Sequence, residues 1–348
     1  MVGLLVAGSV GLLVAILGTP ILIRSLQARG IGQQIREDGP KGHLTKAGTP
    51  TMGGLAIIGA ATVGYLAAHI NTGAVFTAAG ILVVAVVIAA GMVGLADDWL
   101  KVSRQRSLGL NKTAKTLSLL AVCLVFAVLA VYKAKVRTDL SFARTVAIGL
   151  SDPVYILWAV LIILGTSNAV NLADGLDGLA AGSAMYAFSA FVFIGFWQFR
   201  HAACYDLGPA LDLSLFAAAM TGACAGFLWW NAAPAKIFMG DTGSLAIGAG
   251  MGALALTTNT HLLLPVVGGL FVMITLSVMI QVVGFQLWGK RLFRMAPLHH
   301  HFELVGWPET TVIVRFWILA SVMTALGIGL FYADFLTAGV CRTLGDGG

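Results

Sequence analysis

Residues 74–102 read AVFTAAGILVVAVVIAAGMVGLADDWLKV. No charge interrupts 74–96, and then two adjacent carboxylates arrive, Asp97 and Asp98, followed by Lys101. An apolar stretch of ~20 residues matches the hydrocarbon core of a bilayer, so this segment predicts a spanning helix that closes on charge. A carboxylate at such a position is costly unless it has a partner or a task.

The same reading carried outward predicts an all-α, polytopic transmembrane helical bundle of about ten spans, near 2–23, 52–71, 74–96, 116–132, 153–171, 178–198, 213–230, 242–258, 261–286 and 312–333. Composition agrees, with 58% hydrophobic and 10% charged residues among 348, far from the surface a soluble domain needs. The longest polar stretches, 24–51, 97–115, 133–152 and 287–311, are too short for a soluble domain, so residues 1–348 read as a single integral membrane domain. The first span lacks a basic leader and a small-residue cleavage site, and is expected to be retained. No fixed-period repeat is visible.

Loops after the odd-numbered spans, with the start of span ten, carry 15 of the 21 Lys and Arg residues. The positive-inside bias puts that face in the cytoplasm and both termini outside. Lys133, Lys135, Arg137 and Arg144 form a local exception on the outer side. Four cysteines, at 123, 204, 224 and 341, show no metal-ligand spacing and read as small packing residues. The net charge of +6 suits anionic lipid or a phosphorylated substrate, and nucleic acid is not an expected partner.

Polar clusters gather on the basic face. Asp97 and Asp98 point about 100° apart on a helix, so one can face a metal and the other a different group; a helix-end pair with Lys101 is the plainer alternative. SNAVNLADGLDGLAAG (167–182) sets Asn168, Asn171, Asp174 and Asp177 at i+3 steps, a polar stripe followed by Gly175 and Gly178, where backbone amides can approach an anion; interhelical hydrogen bonding is the alternative. NAAPAKIFMGDTGSLAIG (231–248) brings Asn231, Lys236 and Asp241, with Asp241 also readable as a helix cap. MAPLHHHFE (295–303) offers His299, His300 and His301 in a basic loop, and REDGPKGHLTKAGTPTMGG (36–54) adds Lys41, His43 and Lys46. Carboxylates that share magnesium with substrate phosphates, beside cations that offset developing charge, are what phosphoryl transfer requires.

In these motifs, taken in this order from about residue 30 to 305, the chain resembles the polyprenyl-phosphate N-acetylhexosamine-1-phosphate transferase superfamily, and within it the phospho-N-acetylmuramoyl-pentapeptide transferases of bacterial cell-wall synthesis. The resemblance implies a multi-pass bacterial cytoplasmic-membrane enzyme, its active-site loops on the cytoplasmic face. It further implies transfer of phospho-N-acetylmuramoyl-pentapeptide from its UDP conjugate to undecaprenyl phosphate, giving UMP and a lipid-linked precursor of peptidoglycan, with Mg2+ required and a homodimer a further expectation. By resemblance, Asp241 is the magnesium ligand, and Asp97 and Asp98 help to hold the metal or accept the lipid phosphate proton. Lys46, Gly175, Leu176, Asp177 and Phe238 would hold the uracil end, Asn171, Asp174 and Asn231 the diphosphate, and Lys115 a phosphate. His299, His300 and His301 would lie over the nucleotide-sugar site, and HHHFE favours the muramoyl substrate over N-acetylglucosamine.

Other classes fit less well. A carboxylate-coupled secondary transporter would place its acids near the midplane between repeated halves. An intramembrane aspartyl protease would need GxGD, where residues 238–241 read FMGD, and a CDP-alcohol phosphotransferase would need Ala-Arg after Asp174-Gly175.

Overall fold

The computed structural model describes residues 1–32, 48–104 and 109–337. The chain runs back and forth through long helices: α1 (Val2–Ala28), α2 (Gly54–Thr72), α3 (Ala78–Ser103) and α4 (Lys112–Tyr132). A hairpin follows, β1 (Asp139–Ser141) paired antiparallel with β2 (Thr145–Gly149). Then come α5 (Asp152–Ala173), α6 (Leu179–Arg200), the single turn α7 (Ala202–Tyr205) and α8 (Ala210–Asn231). The chain continues through α9 (Gly240–Thr257), the short α10 (Leu264–Val267), α11 (Gly269–Trp288), α12 (Leu298–Val305) and α13 (Glu309–Thr337).

Local chemistry sets many of these ends. The Thr77 side chain accepts from Gly80 N and the Asn111 side chain from Ala114 N, capping α3 and α4. Gly73 and Gly289, at φ 66° and 64°, close α2 and α11 in the left-handed conformation that glycine adopts without strain.

Among the described residues nine helices are long and apolar enough to cross a membrane: α1 to α6, α8, α11 and α13. Their outer faces expose Leu5, Leu13, Leu17 and Ile21 on α1 and Met279, Val282 and Trp288 on α11, the surface of a protein whose solvent is lipid. The expected span at 242–258 corresponds to α9, which does not meet the same apolarity. Every residue from Asp241 to Thr257 is buried, and α9 packs mainly on α3 and α5, with α2 and α6 also against it. A helix enclosed by helices needs small residues for close approach more than apolar bulk. A Cβ added at Gly248 would stand 2.4 Å from Ser167 Cα, and one at Gly54 would stand 2.1 Å from Gly243 N.

The all-α class holds with one short addition, since 139–149 forms the hairpin, anchored where Leu262 N donates to Ser141 O at 3.0 Å and Ser141 N donates to His261 Nε2 at 3.1 Å. Two expectations are corrected. The segment 261–286 is broken into α10 and α11 near Pro265 and Gly268 rather than continuous. Cys204 carries a disulfide instead of serving as a packing residue, whereas Cys123 and Cys224 are free and buried.

Candidate metal and phosphate site

The end of α3 meets the start of α9 at unusually short range. A Cβ at Gly94 would stand 2.1 Å from Asp241 O, so glycine there lets the two backbones touch. Asp98 uses this closeness to cap α9 from the neighbouring helix, accepting from Asp241 N at 3.1 Å, Thr242 N at 2.9 Å and Thr242 Oγ1 at 2.7 Å. The unsatisfied amides at a helix start attract a carboxylate. The expected capping role of Asp241 is therefore corrected: α9 begins at Gly240, with no cap from its own side chains, and Asp98 supplies the cap.

Relieved of capping, the Asp241 carboxylate turns toward Asp97. Lys101 Nζ bridges them, bonding Asp241 Oδ2 and lying 2.7 Å from Asp97 Oδ2, with Asp98 Oδ1 at 3.5 Å. Lys115 Nζ adds a second contact to Asp241 Oδ2 at 2.8 Å and approaches Asp97 Oδ2 at 3.9 Å. Asn171 donates to Asp241 Oδ1 and to Ser244 Oγ at 2.8 Å, and Leu110 N donates to Asp97 Oδ1 at 2.9 Å. Asp97, Asp98 and Asp241 are 2%, 2% and 8% exposed, and each offers an oxygen within 4.8 Å of the others. Oxygen-only donors in such a cluster fit a hard divalent cation better than a soft one.

Next to this acidic cluster the chain turns tightly. α5 ends at Ala173, so the expected stripe is not one continuous helical face. Asn168 bonds its own helix at Leu164 O, 2.7 Å, while Asn171 reaches Asp241. Asp174 lies just beyond the helix, and burial together with the carboxylates of Asp241, Asp98 and Asp177 pushes it up to about 8. Asp177 accepts from Ala235 N at 2.9 Å, and its own N donates to Glu309 Oε1 at 3.2 Å, joining this turn to 231–238 and to α13. Asn231 Nδ2 donates to Ile237 O at 2.8 Å, shaping that second turn. Phe238 pairs through its backbone with Pro50 O and Gly53 N, which brings the TPTMGG segment against the start of α9.

The histidines lie on a helix, α12, rather than in the expected loop. His299 is fully buried against Gly175, where a Cβ would stand 2.4 Å from His299 Nε2 and 3.2 Å from His300 Nε2. His300 Nδ1 pairs with Glu303 Oε2 at 2.7 Å, and His301 Nδ1 accepts from Arg294 N at 3.1 Å. Thus the structure gathers Asp97, Asp98, Lys115, Asn171, Asp174 and Asp241, and next to them Gly175, His299 and His300. Asp177, Asn231 and Phe238 shape the adjoining turns, Leu176 is buried at 3% exposure, and His301 is engaged with Arg294. Lys46 lies outside the described residues. From the sequence Lys101 reads only as a helix-end partner, Thr242 and Ser244 only as part of a helix start, and Glu309 only as one acid on the basic face. The i+3 and i+4 spacing of Lys101 from Asp98 and Asp97 was the available signal.

Comparison with known proteins shows the family. The chain matches the glycosyl transferase family 4 over residues 79–259, and phospho-N-acetylmuramoyl-pentapeptide-transferase signature 1 over residues 46–58. A phospho-N-acetylmuramoyl-pentapeptide-transferase of Frankia casuarinae is 54% identical, over 97% of this chain and 99% of that protein. Proteins of the same name from Streptomyces griseus and Saccharopolyspora erythraea are each 49% identical, over 95% and 97% of this chain and 98% of both relatives. Identity at this level over nearly the whole length places the chain in the phospho-N-acetylmuramoyl-pentapeptide-transferase family.

Proposed function

We propose that this chain transfers phospho-N-acetylmuramoyl-pentapeptide from its UDP conjugate to undecaprenyl phosphate, releasing UMP and forming the lipid-linked monosaccharide precursor of peptidoglycan. The carrying observation is the triad of Asp97, Asp98 and Asp241, with mutually close oxygens and two lysines against them, at the helix ends of a membrane bundle. A midplane transporter site would not sit at helix ends, and the family match disfavours the N-acetylglucosamine alternative.

On this reading Asp241 and Asp97 would hold Mg2+, which would neutralise diphosphate charge. Asp98 keeps α9 and its Asp241 in place through the cap. The lysines are the mobile part of the arrangement: Lys101 and Lys115 exchange carboxylate oxygens for phosphate oxygens as substrate enters. An oxygen of the lipid phosphate attacks the β-phosphorus, the new P–O bond forms in line, and the α–β bridging bond breaks to leave UMP. A phosphate monoester is already mostly ionised near pH 7, so positioning outweighs proton removal and one step suffices. Asn171, Asp174 and Asn231 line the diphosphate region. Gly175, Leu176, Asp177 and Phe238, with Lys46, receive the uracil end, Leu176 through its backbone. His299, His300 and His301 shape the sugar side through α12.

The topology that goes with this function is ten crossings, with α9 as the enclosed tenth, in a single domain over 1–348. Both termini lie outside and the site faces the cytoplasm, where UDP-linked sugars reside. The Cys204 disulfide supports this orientation, since it lies at the opposite end from the carboxylates and disulfides persist on the oxidising side. A homodimer is compatible with the apolar outer faces.

The test is UMP release from UDP-N-acetylmuramoyl-pentapeptide by detergent-purified protein, with and without undecaprenyl phosphate, in magnesium and in chelator, with UDP-N-acetylglucosamine alongside. Release that needs lipid and metal and ignores the second sugar is expected. Preference for N-acetylglucosamine overturns the substrate, and undiminished release in chelator overturns the metal.

A further inference from the structure

At the end of the bundle away from the carboxylates lies a cavity of about 450 Å3, within the size range of small-ligand sites. Arg137 and Arg144 of the hairpin region, Gln198 of α6, Tyr205 of α7, Asn259 beyond α9 and Asp334 of α13 line it. Gln198, Tyr205 and Asn259 are 1%, 6% and 6% exposed. On each, one polar atom has no hydrogen-bond partner: Gln198 Oε1, the Tyr205 hydroxyl and Asn259 Oδ1. Buried polar groups are nearly always paired, so three such atoms around one cavity call for an explanation. An amide oxygen only accepts, so Gln198 and Asn259 each lack a donor, while the Tyr205 hydroxyl can take either kind of partner.

The charges around the cavity are balanced. Arg137 pairs with Asp206 at 3.0 Å and Arg144 with Asp334 at 2.7 Å. The Asp206 side chain is 89% exposed, so its hold on Arg137 is screened. A guanidinium has five N–H donors, and Arg137 keeps most of them for a second acceptor. Neither a bare anion nor a bare cation suits such a wall, whereas a zwitterion meets both halves. The cavity is also lined by Phe142, Leu207 and the exposed Val146, and Ile148, Phe199 and Leu336, neighbours in sequence of the lining residues, are exposed apolar side chains suited to acyl chains.

We infer that this outer cavity binds the phosphoethanolamine headgroup of a phospholipid. The phosphate lies on Arg137 and Arg144, and the primary ammonium donates to Gln198 Oε1, Asn259 Oδ1 and the Asp334 carboxylate. This assignment gives a purpose to Arg137 and Arg144, two of the four basic residues that break the charge bias of the other loops. It also separates two lipids of equal charge, because a choline headgroup has no N–H to give.

The test reconstitutes the full chain with equal amounts of phosphatidylethanolamine, phosphatidylcholine and phosphatidylglycerol, strips loosely held lipid with detergent and weighs the complexes by native mass spectrometry. Retention of phosphatidylethanolamine over each of the others by roughly tenfold is expected, the scale of one charge-assisted hydrogen bond. Arg137→Gln, at a half-exposed position, and Asn259→Gly, which suits the φ of 53° there, each bring that ratio toward one. Equal retention of the ethanolamine and choline lipids by the unaltered protein overturns the inference, as does a preference unchanged in both variants. Soluble phosphoethanolamine in excess separates the sources: failure to displace the lipid is expected if the apolar side chains hold acyl chains, and displacement assigns the site to the free headgroup.

Discussion

Three carboxylates that look equivalent in the sequence have different work in the structure. Both oxygens of Asp98 are committed to the start of α9, while Asp97 and Asp241 face Lys101 and Lys115. Substituting them should therefore give different phenotypes. Asp241→Asn removes charge from the metal and phosphate site and leaves the cap intact, so turnover should fall by roughly 10²–10³-fold, the scale of one lost electrostatic contact in a transition state, with little change in melting temperature. Asp98→Asn replaces one capping oxygen by an amide nitrogen that cannot accept. Turnover should fall as well, but with a loss of about 1 kcal/mol or more in stability, as for other lost caps. UMP release and thermal melting in detergent, measured on both variants, check this; near-normal turnover in Asp241→Asn sinks the metal assignment. The carboxylates themselves were legible in the sequence because charge against apolar helix is conspicuous. Their division of labour was not, because Asp98 and Thr242 are 144 residues apart in the chain and only the packed fold shows who caps whom.

At the scale of elements, glycine sets the spacing between α3 and α9. In Gly94→Ala the new methyl would meet Asp241 O at 2.1 Å and the helices must separate. Overpacking of this kind costs about 1–3 kcal/mol, and because the displaced atom belongs to Asp241, turnover should fall further than stability alone explains. Kinetics measured well below the melting temperature separate the two effects. The hairpin offers a second prediction at the other end. Burial pushes His261 down to about 4 while its Nε2 accepts from Ser141 N. A histidine depressed on folding stabilises fully above its ordinary value near 6.5 and loses that stability as pH falls through 6.5 toward 4, to a total of ~3 kcal/mol at one pKa unit per 1.36 kcal/mol. Melting temperature between pH 7.5 and 4.5 should drop more steeply for the unaltered protein than for His261→Gln. The same regions mark where elements were legible. Long apolar runs such as 2–23 and 74–96 announce α1 and α3 by hydropathy alone. The hairpin and α12 were hidden, the first because its anchors are Leu262 and His261 far along the chain, the second because α12 is only eight residues long and its apolar face of Leu298, Phe302 and Val305 is interrupted by three histidines.

For the whole molecule, the parity of crossings decides which compartment the site serves. Asp241 starts α9 at the carboxylate end, and Leu262, just past its other end, is bonded to the hairpin that joins α4 to α5. α9 spans 18 residues, ~27 Å at 1.5 Å per residue, close to the ~30 Å of a bilayer core. If α9 crosses, the count is even and both termini share a side; if it does not, α8 and α11 cannot both run as they do. The basic loops then set the direction, with the carboxylate end inward. Fusions to reporters check each half of this argument. Alkaline phosphatase, active only outside, should work when joined after Gly73 or after Thr260, on the two sides of the same outer face. Green fluorescent protein, which fluoresces inside, should do so when joined after Gly289. Phosphatase activity after Gly73 but not after Thr260 would remove the tenth crossing, and activity after Gly289 would turn the site away from the cytoplasmic pool of UDP-linked sugar, leaving the proposed reaction without its donor.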